Sequence, residues 1–233
     1  MTVIRHIPNA ITCCNLISGC IAVLLAADGL ADWALSFILL GAVFDFFDGF
    51  AARLFKVSSP IGKELDSLAD DVTFGVAPAT ILYTVIASTA MPEWLEPVHD
   101  YIPYLAFLMA AFSALRLAKF NLDIRQSTSF IGMPTPANAL FWGALACSIP
   151  ESFLTSTWFF WALMALLALS CWLLVAEIPM FALKFKSFSF KDNKLRYSFI
   201  LISLLLIIGL GIMGLTLAII LYILLSLVAY RHN

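Results

Sequence analysis

Four aspartates, Asp45, Asp48, Asp66 and Asp70, lie at helical spacings inside hydrophobic sequence. The first two are three residues apart and the last two four apart, so each pair projects from one face of its helix. The connection between the pairs is short, which makes their helices antiparallel neighbours whose carboxylate faces can converge. Carboxylates that close repel unless something cationic holds them. One or two divalent ions meet that need, and all-oxygen ligation points to Mg²⁺ or Mn²⁺ rather than zinc. Gly49 and Ala52 remove bulk from the carboxylate face, and Gly62 does so near the far end of the connection, so a ligand can approach the backbone. Arg53 is a fixed cation suited to bidentate hydrogen bonding with phosphate. Metal, arginine and small residues together describe a diphosphate site. Ser59 reads either as a further donor or as a solvated loop serine. Asp66 alone could be a helix cap, but two in-register pairs with glycine and arginine between them read as a site. Glu64 and Asp71 fall about 100° or more off the Asp66/Asp70 face and are left out as ligands.

The elements that position these groups must cross a bilayer. The chain has 233 residues, 62% of them hydrophobic and 12% charged, with a mean hydropathy of +0.98; soluble domains are roughly half apolar and a quarter charged. Apolar runs of spanning length lie near 9–27, 33–55, 66–89, 102–121, 135–149 and 155–180, and a last run covers 198–229. That run is either one long tilted helix or a hairpin of two short ones broken around Gly209, Gly211 and Gly214. One set of connections carries Arg5, then Arg53, Lys56 and Lys63, then Arg116, Lys119 and Arg125, then Lys184 to Arg196; the opposite set carries Asp28, Asp32, Glu93, Glu96, Asp100 and Glu151 and no Lys or Arg. The positive-inside rule places the N-terminus and the basic connections in the cytoplasm. Arg231 prefers the same side, which favours the hairpin and eight spans.

Several function classes drop out. A net charge of −2 gives no basic field for nucleic acid. The five cysteines form no CxxC and sit in apolar segments, so they read as small buried hydrophobes. His6, His99 and His232 fall in terminal or connecting segments, which argues against an embedded histidine base. Asn9, Thr12, Asn15 and Ser18 interrupt the first apolar run, so it reads as a retained helix rather than a signal peptide. No internal repeat or soluble segment appears, and residues 1–233 read as one membrane domain.

As a pattern the aspartate stretch is D-x2-D-G-x2-A-R-x8-G-x3-D-x3-D, which matches without gaps the signature of the CDP-alcohol phosphotransferase family. The resemblance implies an all-α, polytopic membrane helix bundle: a six-helix core, about 1–183, followed here by a C-terminal hairpin, about 197–230. It implies a cytoplasm-facing cavity that binds a CDP-linked alcohol and transfers its substituted phosphate to an acceptor hydroxyl with release of CMP. It implies that Asp45, Asp48 and Asp66 are metal ligands, that Asp70 is the general base and also touches a second metal, and that Gly49, Ala52 and Arg53 contact nucleotide and diphosphate. The opening segment "PNAITCCN" resembles the family's own, making Asn9 and Thr12 candidates for the cytidine side, with helix-start polarity as the alternative. A homodimer in the cell (inner) membrane, in contact with membrane lipids, fits the same resemblance.

The core motif does not choose the acceptor. "LDSLADDVTFGVAPA", "ALRLAKFNLD" and "FIGMPTPANA" resemble the membrane-embedded phosphatidylserine synthase branch, which implies CDP-diacylglycerol and L-serine as substrates; Asp71 departs from the apolar residue usual after the fourth aspartate. Arg116 and Lys119 end the fourth span, with Asn121 and Arg125 beyond, and an embedded cation could hold the serine carboxylate. Snorkelling basic residues that set topology are the alternative. Pro134, Thr135 and Pro136 open the fifth span with a rigid entry. Glu177 and Pro179 read as a kink with a snorkelling carboxylate. The rivals are a related transferase acting on a phosphorylated acceptor and a carboxylate-lined cation transporter; the latter needs ligands near the bilayer midplane.

Overall fold

A computed structural model describes residues 6–57, 59–123, 130–181 and 193–231. Helix α1 (Ile7–Ala27) starts with Pro8 in its first turn, where a missing N–H costs nothing. A tight turn with Gly29 at φ 76° leads into α2 (Ala31–Leu54). Both helices are predominantly apolar and long enough to cross a membrane, as are the 102–122 segment and the helix Thr157–Val175.

The third rod is composite. Ser59 caps α3 (Pro60–Asp70) by accepting a hydrogen bond from the Gly62 amide at 2.9 Å, with Pro60 at the first helical position. The ladder then widens into a π-helical segment, Asp71–Val76, before α4 (Ala77–Ala87) resumes α geometry. Pro78 supplies the physical reason: it has no N–H to give the Phe74 carbonyl, so an ordinary i to i−4 bond is impossible there. The rod therefore spans 60–87 rather than the expected 66–89, and its wide turn falls immediately after Asp70.

A 3₁₀ segment (Ile102–Phe107) runs into α5 (Leu108–Leu122). Strand β1 (Phe130–Ile131) precedes α6 (Thr135–Ala146), the short α7 (Glu151–Leu154) and α8 (Thr157–Val175). The sixth span does not run to 180 with a kink. Helix α8 stops at Val175, Ala176 turns to extended backbone at ψ 141°, and β2 (Pro179–Met180) pairs antiparallel with β1, Ile131 opposite Pro179 and Phe130 opposite Met180. Pro179 disfavours helical backbone at Ile178, so the chain leaves the helix instead of bending it. The last apolar run is two helices, α9 (Lys194–Leu210) and α10 (Ile212–Arg231). They fold back at Gly211, whose φ of +60° with ψ −134° suits glycine. Phe199 and Tyr222, on opposite sides of that break, bring their rings to 5.9 Å, which only a hairpin allows.

Two buried clusters fix this arrangement. Ile38, Phe74 and Ile81 join α1, α2, the composite rod and α6; Met109, Phe160, Leu163, Leu174 and Met180 join α5, α8 and β2. Large apolar side chains such as Leu24, Trp33, Leu204 and Leu224 face outward, as a lipid-facing surface requires. The chain is thus an all-α, multi-pass membrane helix bundle with one two-residue strand pair among its described residues. The cysteines depart from the expectation in part: Cys171 is buried, but Cys13, Cys14 and Cys20 lie on the outer face of α1, where a small apolar group meets lipid as readily as protein.

Candidate functional site

The polar residues of α1 recur every three positions, Asn9, Thr12, Asn15 and Ser18, so they form a stripe along one face. That stripe meets the C-terminal half of α2 and the start of the composite rod. Gly41 makes the meeting possible: a Cβ there would lie 2.5 Å from Thr73 Cγ2 and 2.9 Å from Asn15 Oδ1. Thr73 Oγ1 donates to the Asn15 carbonyl at 3.1 Å, which docks the rod on α1.

The aspartates converge where those helices meet. One carboxylate oxygen each from Asp45, Asp48 and Asp66 lies within 4.8 Å of the others. Like charges at that distance repel by about 3 kcal/mol per pair at an effective dielectric of about 20. Among the described residues no lysine or arginine forms an ion pair with any of them. Thr12 Oγ1 is 2.5 Å from Asp48 Oδ2 and 3.0 Å from the Pro8 carbonyl. Its proton serves the carboxylate and orients it. Buried Asp66 Oδ1 has no hydrogen-bond partner among the described residues. Three hard oxygen donors, one of them buried and unsatisfied, fit a divalent cation.

Asp70 sits one turn beyond Asp66 and outside the closest three-oxygen group. Asn15, fully buried, donates its amide to Asp70 Oδ1 at 3.1 Å, and Asp70 remains within electrostatic reach of Asp45, Asp66 and Asp48. Asp71, left out on angular grounds, indeed points elsewhere: its Oδ1 faces Gly75, beside Ser113.

A cavity of about 260 Å³ opens beside the cluster, lined by Asn9, Thr12, Gly49, Ala52, Ser59 and Gly62 together with Asp48, Asp66, Pro8, Val57 and Lys63. Six of the seven residues expected around the nucleotide therefore share one cavity. Arg53 does not line it. The side chain is exposed, with one guanidinium nitrogen 3.5 Å from where a Gly49 Cβ would stand, so it lies at the rim. At Gly62 a Cβ would come within 3.0 Å of both Asn9 Oδ1 and Ser59 Oγ, which explains the need for a small residue. Lys63 was not anticipated, and it bridges outward, donating from Nζ to the Asn121 carbonyl at 2.7 Å.

A second cavity, about 320 Å³, lies at the end of α5 and is lined by Arg116, Lys119 and Asp123 and by the turn after α8, including Glu177. Arg116 is buried, stands over the Phe120 ring at 5.1 Å and is within electrostatic reach of Asp70. Of the other acceptor candidates, Asn121 does not line this cavity; its amide donates to Ser67 Oγ at 2.7 Å, so it ties α5 to α3. Thr135 is fully buried and lines neither cavity, because its position in the first turn of α6 turns it into the protein. Arg125 lies outside the described residues. The C-terminal hairpin braces this side: Tyr222 donates its hydroxyl to the Phe181 carbonyl at 3.1 Å, and its ring meets Phe181 at 4.9 Å.

Sequence reasoning did not place Lys63 in the first cavity, Asp123 and Glu177 in the second, or Asn15 against Asp70. The three-residue period from Asn9 through Thr12 was the available signal for Asn15; no spacing links Asp123 to Glu177.

The model of the CDP-alcohol phosphatidyltransferase family matches residues 5–183. The CDP-diacylglycerol–serine O-phosphatidyltransferase of Bacillus subtilis (strain 168) is 39% identical over 136 residues, covering 57% of this chain and 70% of that protein. Proteins of the same name from Mycobacterium leprae (strain TN) and Methanocaldococcus jannaschii are 33% identical over 187 residues and 35% identical over 151 residues. The chain spans 58% of the length of the M. leprae protein, with 76% of its own residues in the match.

Proposed function

The chain belongs to the CDP-alcohol phosphatidyltransferase family, and on that premise we propose that it transfers the phosphatidyl group of CDP-diacylglycerol to the hydroxyl of L-serine, giving phosphatidylserine and CMP. The observation that carries this reading is the convergence of Asp45, Asp48 and Asp66 on a cavity lined by the small residues of the same signature. The names of the relatives support serine as the acceptor.

In this reading Asp45, Asp48 and Asp66 would hold a divalent ion, Mg²⁺ or Mn²⁺, and Asp70 would share a second; when bound, such ions would supply positive charge for the diphosphate and the CMP leaving group. Asn9, Thr12, Gly49, Ala52, Ser59 and Gly62 bind the nucleotide end, and Arg53 adds positive charge at the rim. Asp70 takes the proton of the acceptor hydroxyl. The acceptor oxygen bonds to the phosphorus that carries diacylglycerol, while the bond from that phosphorus to the CMP oxygen breaks. Asn15 holds one Asp70 oxygen and leaves the other for the proton. Arg116 and Lys119 hold the acceptor carboxylate.

The test is CMP release by the purified protein with CDP-diacylglycerol, Mg²⁺ or Mn²⁺, and labelled serine, glycerol 3-phosphate or inositol phosphate in turn. Release with serine alone is expected, and release with none refutes the transferase reading. Asp70→Asn should retain the CDP-lipid and stop turnover; normal turnover removes the proposed base. A phosphatidyl-enzyme trapped on stalled protein would overturn direct transfer.

The same reading places residues 1–233 in one catalytic membrane domain of eight spans, a homodimer in the cell (inner) membrane with both termini and the active site cytoplasmic. Single cysteines introduced at positions 56 and 96 should react with an impermeant reagent from opposite sides of sealed vesicles. Labelling of both from one side refutes the orientation.

A further inference from the structure

On the reading above the first cavity takes a diphosphate, yet its wall carries two carboxylates, Asp48 and Asp66, and among the described residues a single cation, Lys63. Arg53 stands only at the rim. Lys63 lies three residues before Asp66 and seven before Asp70, so the lysine and both carboxylates share one face of α3. Its backbone is fixed at the start of that helix, where the Lys63 amide donates to the carbonyl of the capping Ser59 at 3.2 Å.

The ammonium is held far less firmly than the backbone. Nζ donates to the Asn121 carbonyl at 2.7 Å, its one hydrogen bond among the described residues, and the side chain is exposed. An ammonium carries three N–H groups on a flexible four-carbon stem, and one neutral carbonyl satisfies one of them. No carboxylate among the described residues pairs with it, although Asp66 stands one turn along the same face. The tie between α3 and α5 does not depend on this bond alone: the Asn121 amide donates to Ser67 Oγ at 2.7 Å, and Ser67 Oγ donates to the Lys63 carbonyl at 3.3 Å. The ammonium can therefore leave Asn121 while the two helices stay joined. A diphosphate oxygen would give it a charged acceptor in place of a neutral one, and a hydrogen bond between two ions is the stronger.

We propose that Lys63 is a ligand-binding residue of the first cavity, turning its ammonium from the Asn121 carbonyl to the diphosphate of a nucleoside diphosphate ester. This rests on the transferase reading above and deepens it by naming the cation that the cavity wall itself supplies.

The test measures inhibition by CDP, in competition with CDP-diacylglycerol, for wild type, Lys63→Met, Lys63→Arg and Ser67→Ala. Lys63→Met keeps most of the stem and removes the charge. Its CDP inhibition constant should rise about tenfold, about 1.4 kcal/mol, and the KM for CDP-diacylglycerol should rise with it. Lys63→Arg keeps the charge and should stay within about threefold of wild type. Ser67→Ala cuts the other half of the tie between α3 and α5 and leaves the ammonium in place, so its CDP constant should also stay within about threefold. Added KCl should weaken CDP binding more steeply in wild type than in Lys63→Met, because only wild type has that ammonium to screen. A CDP constant unchanged in Lys63→Met overturns the inference and leaves the transferase reading standing. An equal rise in Ser67→Ala, or the same salt dependence in wild type and Lys63→Met, also overturns it, since Lys63 then acts only as a strut. Wild type that releases no CMP with any acceptor overturns both readings, and does so before any variant is made.

Discussion

Asn15→Ala isolates the positioning of the proposed base. The Asn15 amide is the one side-chain donor to Asp70 among the described residues, at 3.1 Å in a fully buried setting. Hydrogen bonds to charged groups contribute about 1.5 to 3 kcal/mol. Losing one that orients a reacting carboxylate should lower kcat by about tenfold to a hundredfold. Docking of the composite rod survives, because Thr73 bonds to the backbone carbonyl of residue 15 rather than its side chain. Asn15 also lies outside the lining of the nucleotide cavity, so the KM for CDP-diacylglycerol should stay within about twofold of wild type while kcat falls. The assay is steady-state CMP release over a matrix of both substrates, with a melting curve on the same preparation. A double-mutant cycle completes it: in the Asp70→Asn background, Asn15→Ala should add almost nothing to the loss of turnover, because the two act through one proton transfer. A kcat within about twofold of wild type, or losses that multiply in the cycle, would refute the role given to Asn15.

Other perturbations test separate parts of the site. Gly62→Ala places a methyl 3.0 Å from Asn9 Oδ1 and Ser59 Oγ and should raise the KM for CDP-diacylglycerol several-fold, with CMP inhibition weakened in step. EDTA should abolish CMP release and Mg²⁺ or Mn²⁺ restore it; added divalent ion should raise the melting temperature of wild type and leave that of Asp66→Asn unmoved. Gly211→Ala forces a side chain into backbone at φ +60° and ψ −134°, at about 1 to 3 kcal/mol, so heating should release the α9–α10 hairpin earlier, read as earlier protease cleavage near residue 211.

Much of the site was legible in the sequence because its geometry is local. Asp45 with Asp48, and Asp66 with Asp70, lie within single helical turns, so the helix period alone fixes which carboxylates share a face. The small residues Gly49, Ala52 and Gly62 carry their meaning in the same way. Apolar run length and the split of basic and acidic connections likewise required no coordinates, since the bilayer imposes those patterns on any spanning chain. Even the hairpin was legible, through the glycines of its turn and the side preferred by Arg231.

Tertiary structure decided what lies between distant segments. Asn15 and Asp70 are fifty-five positions apart, and only the close passage at Gly41 and Thr73 brings them together. The π-helical turn after Asp70 follows from a proline eight residues onward, which widens a ladder that the apolar pattern shows as uniform. The end of α8 at Val175 became visible once Pro179 was seen pairing with Ile131, and that pairing sets Glu177 on a cavity wall beside Arg116. Spacing along a helix encodes which side chains share its face; which faces meet is encoded in the packing of side chains from segments that no local period connects.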